Sequence, residues 1–183
     1  MKHFIVALFL SIPCCVFAQI SVDKVEENGN RIIITDYSSL YTGWTNAASF
    51  RLGYIHFEDV ELYNLSLLLN EGKMQIEEGR KLLLKFSDGS TMELSNSKQI
   101  GPADYEYRTS KYGTTYLVCP SYKISEEEIK RIIEGEVVKI RIENNIEFFD
   151  RDIKKNKLSK GLKNAYNAIQ KKKLTNNGLY DGF

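Results

Sequence analysis

His56 and Cys119 are the residues whose types could make a catalytic pair, with a thiolate as nucleophile and an imidazole as its base. Nothing around Cys119 points to that chemistry. It closes the apolar run Tyr116-Leu117-Val118 and precedes Pro120, and a cysteine in such a strand behaves as a small hydrophobe. His56 alternates with the residues of a strand and reads as a half-buried surface histidine. The remaining His3, Cys14 and Cys15 all fall in the first eighteen residues. One histidine and one cysteine cannot supply a structural zinc site, which takes about four ligands. No glycine-rich phosphate loop, serine elbow or Ser-His-Asp order is present. Glu58-Asp59-x-Glu61 and Asp150-x-Asp152 are the densest acid clusters, and neither has the spacing of a calcium loop. Both read as solvated turns. No catalytic residue, metal ligand or cofactor is assigned on these grounds. Paired carboxylates held at the right separation could still hydrolyse a glycoside, and spacing along the chain does not reveal such a pair.

Aromatic residues carry the stronger signal. Tyr37, Tyr41 and Trp44 fall in a Gly/Ser/Thr/Asn-rich segment that reads as a loop. Tyr105, Tyr107, Tyr112, Tyr116 and Tyr122 form a second group around Gly101-Pro102 and Gly113. Exposed tyrosine and tryptophan give rigid, amphipathic contact surfaces for proteins and sugar rings. The candidate binding residues are therefore Tyr37, Tyr41, Trp44, Tyr105, Tyr107 and Tyr112. The competing explanation is that tyrosine simply suits strands and their edges.

Strands must position most of these residues. Arg31–Thr35 is a β-branched run after the turn residues Asn28-Gly29-Asn30, with a short strand before it near Ile20–Val25. Ser49–Phe57 puts Phe50, Leu52, Tyr54 and His56 on one face, and Leu62–Leu69 follows. Lys81–Phe86 and Thr91–Ser95 alternate around Asp88-Gly89, a hairpin signal because glycine supplies positive φ. Further strands are expected at Thr114–Tyr122 and Val137–Glu143. Ser125-Glu126-Glu127-Glu128 is a capping box that opens a short helix, which Gly135 ends. A second helix is expected from Arg151 to Lys173, with Leu158, Leu162, Ala165, Tyr166 and Ile169 at helical spacing.

The chain begins with a leader pattern. Lys2 and His3 precede the apolar run Phe4–Ile12, and Val16-Phe17-Ala18 suits signal-peptide cleavage before Gln19. The run is too short to span a bilayer, and no second one follows, so no integral membrane segment is expected after cleavage. Residues 1–18 are read as a signal peptide and 19–183 as one globular domain, with 175–183 a possible tail. The protein is expected to be exported, periplasmic or extracellular. Lipidation at Cys14 or Cys15, giving a lipid-anchored envelope protein, is the alternative, although Pro13 is a poor neighbour for it.

Removing residues 1–18 takes away Lys2 and no acid, leaving 24 of the 25 basic residues against 24 acidic ones. That neutrality argues against a nucleic-acid binder. Residues 151–173 hold nine Lys/Arg and one acid, which reads as a solvated basic face over an apolar stripe.

Tyr122–Ile129 and Gly135–Ile142, with Leu84–Ser90 and the closing lysine-rich helix, resemble small exported proteins of Bacteroidetes-type bacteria. The resemblance covers the second half of the chain. It implies architecture and compartment and brings no catalytic residue. The expected fold is α+β: mainly an antiparallel β-sandwich or open barrel of about eight or nine strands. One short helix and a C-terminal amphipathic helix complete it. The expected function is an exported, non-enzymatic binding or interaction module for an envelope protein or glycan. The alternative is a small carboxylate-dependent hydrolase acting on an extracytoplasmic polymer.

Overall fold

The computed structural model describes residues 18–27, 29–43, 46–72, 74–98, 100, 105–111 and 113–177. In chain order its elements are β1 (Ile20–Val25), β2 (Arg31–Thr35), β3 (Ser38–Thr42), β4 (Ala47–Phe57), β5 (Val60–Asn70), β6 (Lys81–Phe86), β7 (Thr91–Ser95) and β8 (Glu106–Ser110). They continue as β9 (Gly113–Leu117), β10 (Ser121–Ile124), α1 (Glu126–Glu134), β11 (Val137–Glu143), β12 (Phe148–Asp152) and α2 (Lys157–Asn177). Every strand pairing is antiparallel.

The first sheet runs β1-β2-β4-β5-β10, with β3 also paired to β4. β2 and β3 lie end to end along one edge of β4, opposite Gly53–His56 and Ala47–Phe50 respectively. At the break between them Thr35 replaces the missing ladder. Its hydroxyl accepts from the Leu52 amide at 3.1 Å and donates to the Leu52 carbonyl at 3.3 Å. The second sheet runs β12-β11-β6-β7. The sheets join where Asn96, after β7, bridges Tyr122 in β10. Together they enclose one core as a β-sandwich or open barrel, and the last helix packs against β2, β3 and β4. The expected α+β class is what the structure has.

Alternation explains the burial. Phe50, Leu52 and Tyr54 of β4 face inward with Tyr63, Leu65, Leu67 and Leu69 of β5. The Asp88-Gly89 turn has Gly89 at φ 85°, and the Asp88 carboxylate accepts from the Ser90 amide at 2.8 Å. The capping box at Ser125 and Glu128 is formed. Gly135 ends α1 with extended rather than left-handed backbone. Glycine is needed there because a Cβ would sit 2.6 Å from the Phe86 ring.

Leu158, Leu162, Ala165 and Ile169 of α2 are buried, while Lys160, Lys163 and Lys171 face outward. The helix approaches β4 closely at Gly161, where a Cβ would lie 2.5 Å from Phe50 Cζ. Alanine normally gains about 1 kcal/mol over glycine inside a helix. Here the fully buried Phe50 cannot retreat, so Gly161→Ala is expected to lower stability by about 1–2 kcal/mol. A thermal melt followed by circular dichroism gives the sign directly.

Several expected boundaries are corrected. Among the described residues there are twelve strands rather than eight or nine. The second helix starts at Lys157, not Arg151, because Arg151 and Asp152 belong to β12. It continues to Asn177, into the expected tail, and 178–183 lie outside the described residues. The segment read as a loop around Tyr37–Tyr41 contains β3. The single strand expected over 114–122 is two. It leaves β8 after Leu117 and crosses to β5, where the Val118 and Pro120 carbonyls accept from Leu69 and Leu67. The expected signal peptide lies outside the described residues except Ala18, which is half-buried against the core.

Candidate functional site

The two aromatic groups of the sequence meet at one end of the first sheet. Tyr41, on β3, donates its hydroxyl to Glu71, just past β5. Three residues on, the Met74 carbonyl accepts from the Tyr105 hydroxyl. Tyr105 leads into the β8–β9 hairpin, where Tyr107 pairs with Tyr116 across the strands. The three rings form an edge-to-face triangle, with centroids 6.4, 6.2 and 5.3 Å apart. Tyr37 lies between β2 and β3, with its hydroxyl 3.2 Å from Cys119 Sγ and the Arg51 guanidinium 4.7 Å from its ring centroid. Burial first, then the Cys119 contact, pushes the Tyr37 phenol up, and Glu106 at the foot of the hairpin adds to this.

The structure thus puts Tyr105 and Tyr107 in ring contact, anchors Tyr41 on Glu71 and Tyr37 on Cys119, and gives the four different fates. Tyr41 and Tyr105 are half-buried and spend their hydroxyls on internal partners. Tyr37 and Tyr107 remain exposed, Tyr107 at 55%. Trp44 and Tyr112 lie outside the described residues. Tyr122, from the same sequence cluster, is wholly buried and belongs to the core. Cys119 is half-buried rather than fully inside, because Val118 and Pro120 take the inward positions on either side of it. Arg51, Glu106 and Arg108 also belong to this end, where Arg108 pairs with Glu106 at 3.3 Å. The sequence did not single them out, since their only signal is position opposite residues far along the chain.

Behind this end sits a clasp between the sheets. Glu71 accepts from both Tyr41 and Arg151 of β12. Arg151 also lies 5.3 Å from the Phe149 ring centroid. The Glu71 side chain is only 5% exposed and the Arg151 side chain 31%. Burial and the Glu71 acceptor hold the Tyr41 phenol well above its usual value.

A second polar cluster lies at the opposite end of β4 and β5. Glu61 accepts from Tyr54 at 2.9 Å and from Lys173 at 2.7 Å. Glu126 accepts from Tyr166 at 2.7 Å and pairs with Lys130 at 2.6 Å. Both acids line a groove of about 650 Å³ with Leu62, Tyr63, Lys123 and Glu127. Carboxylates sharing one groove are the kind of placement that glycoside hydrolysis uses. Yet Lys173 holds Glu61 below its ordinary value, and Lys130 does the same for Glu126. Glycoside hydrolysis needs one acid raised so that it carries a proton near neutrality. Two carboxylates both held ionised do not supply it.

Other carboxyls move the same way. Arg80 lowers Glu143, Ser90 lowers Asp88, and Arg141 lowers Asp150 to about 2 from its ordinary 3.8. A depressed folded value means stability that is complete above the unfolded value and lost as pH falls through the folded one. The melting temperature is therefore expected to hold from neutrality to about pH 5 and to fall progressively between about pH 4.5 and 2. Melts across that range check it, and a rise on acidification would contradict it.

Among the described residues no three His, Cys, Asp or Glu side chains gather as a metal ion would require. No described helix is long and apolar enough to cross a membrane. Comparison with protein-family models, curated proteins and solved structures finds no match to the chain.

Proposed function

We propose that the chain is an exported, non-enzymatic binding module that contacts an envelope protein or glycan through its aromatic end. The observation that carries this is the Tyr105–Tyr107–Tyr116 triangle on the hairpin, with Tyr107 55% exposed, beside the exposed Tyr37, whose phenol feels Glu106 of the same hairpin. Tyr105 and Tyr116 brace Tyr107, while Cys119 and Arg51 hold Tyr37, so both rings have little conformational freedom left to lose on binding. Arg51 adds donors beside the Tyr37 ring, which suits sugar hydroxyls or a polar protein surface equally well. The leader pattern supports export, and the periplasm or the cell exterior is the compartment.

The test is to immobilise the chain from Gln19 onward and screen it against purified envelope glycans and envelope protein extract. Tyr107→Ala is then compared on whatever binds. An exposed aromatic anchor typically contributes about 2 kcal/mol, so binding is expected to weaken about thirtyfold while the melting temperature stays put. Unchanged binding by Tyr107→Ala would remove this end as the contact surface.

A further inference from the structure

The outer face of the first sheet carries an apolar surface at the end away from the tyrosines. Cross-strand register aligns Val22 with Ile34, and Ile32 with Ile55 and Leu62. Phe57 stands opposite Val60 at the β4–β5 turn. These seven side chains share one face: Ile32, Ile34, Ile55 and Leu62 alternate with the inward Ile33, Tyr54 and Tyr63, and register adds Val22, Phe57 and Val60. Phe57, Val60 and Leu62 are 48, 51 and 45% exposed. A run such as Ile32-Ile33-Ile34 is what a strand covered on both faces carries, and among the described residues Ile33 is fully buried while Ile32 and Ile34 are only half-buried.

The rim of this surface is acidic on one side. Glu58 and Asp59 form the β4–β5 turn, exposed between Phe57 and Val60. Leu62 also lines the groove that holds Glu61, Glu126 and Glu127. Glu61 and Glu126 already have lysine partners, whereas Glu58, Asp59 and Glu127 are exposed without an ion pair among the described residues. The basic residues nearby are fewer: Lys123 in the groove, and Lys24, opposite Ile32 on the edge strand β1 and paired with Glu26 at 3.7 Å.

We infer that this face docks a short, basic amphipathic helix of a partner protein. The apolar side of the helix lies over Ile55, Phe57 and Leu62, and its lysines or arginines meet Glu58, Asp59 and Glu127. Size and charge choose this occupant. Four strands about 4.8 Å apart and five residues at about 3.4 Å each make a face roughly 14 Å by 14 Å. A three-turn helix, about 16 Å long and 10 Å wide, covers it. A second copy packed sheet to sheet would bury well under the roughly 800 Å² per partner of a standard stable interface. It is also a different surface from the aromatic end, so the two readings stand or fall separately.

The test uses the whole chain from Gln19 and two dye-labelled probe peptides. Both are amphipathic helices of about 14 residues, one Leu/Lys and one Leu/Glu. Fluorescence anisotropy is expected to show the Leu/Lys peptide bound at least about tenfold more tightly, with the preference shrinking in about 0.5 M salt. Phe57→Ser with Leu62→Ser is expected to weaken that binding at least about tenfold. Independently, neutralising the rim with Glu58→Gln, Asp59→Asn and Glu127→Gln is expected to abolish the preference while leaving the apolar face intact. Equal binding of the two peptides, or variants that bind like the parent, would overturn the proposal. So would a dimer in sedimentation that the Phe57→Ser, Leu62→Ser variant dissolves, because the face would then belong to a second copy.

Discussion

Leu162→Asp is expected to leave the chain without a cooperative thermal transition. Leu162 is fully buried in α2, between the helix and the sheets it fills. Truncating such a leucine costs about 2–5 kcal/mol through lost transfer energy and the cavity left behind. Placing a carboxylate there adds a desolvation penalty with no cation in the apolar stripe to offset it. The total approaches the whole stability of an ordinary domain, about 5–15 kcal/mol. The control sits on the opposite face of the same helix. Lys160→Glu with Lys163→Glu changes the charge by more than Leu162→Asp does, yet both lysines are exposed. Each should shift stability by no more than about 0.5 kcal/mol. A cooperative melt for Leu162→Asp near that of the parent would mean that α2 is not part of the core.

Arg151→Met is expected to cost about 3 kcal/mol, the next largest effect. It leaves the Glu71 carboxylate buried with Tyr41 as its partner, and breaking a buried pair on one side costs more than deleting both sides. The figure sits at the lower end of the usual range because Arg151 is 31% exposed and water can reach it. Pairing the change with Glu71→Gln removes the stranded charge and should recover most of the loss. Chemical denaturation of the two single variants and the double one measures this coupling. If the double variant is as unstable as the sum of the singles, the clasp between the sheets contributes nothing specific.

Much of the architecture was legible because local pattern determines it. Period-two alternation in Ser49–Phe57 and Lys81–Phe86 marks both a strand and its inward face. Gly89 at φ 85° turns the hairpin as its position after Asp88 implied. Ser125 and Glu128 make their reciprocal bonds within three residues. The stripe Leu158-Leu162-Ala165-Ile169 names its own buried side at the helical period. Each of these depends on residues a few places apart, so the sequence carries it.

What the sequence misplaced depends on distant partners. Arg151 has the composition of a helix start, but its guanidinium reaches Glu71, 80 residues away. Ser38–Thr42 has loop composition and becomes a strand because the start of β4 offers a free edge. Tyr41, Tyr105, Tyr107 and Tyr122 were indistinguishable as residues. Met74, Glu71 and the packing of the core decide which are spent internally, while Tyr107 alone of the four remains largely exposed. The apolar stripe on the outer face of β2, β4 and β5 was equally hidden, since alternation tells which residues share a face but not whether anything covers it. The sequence alone determined the element types, the inward faces and the antiparallel class, because those follow from backbone periods and neighbours in the chain. Only the tertiary structure decided which polar groups pair and which faces stay open, because those depend on atoms brought together from scores of residues apart.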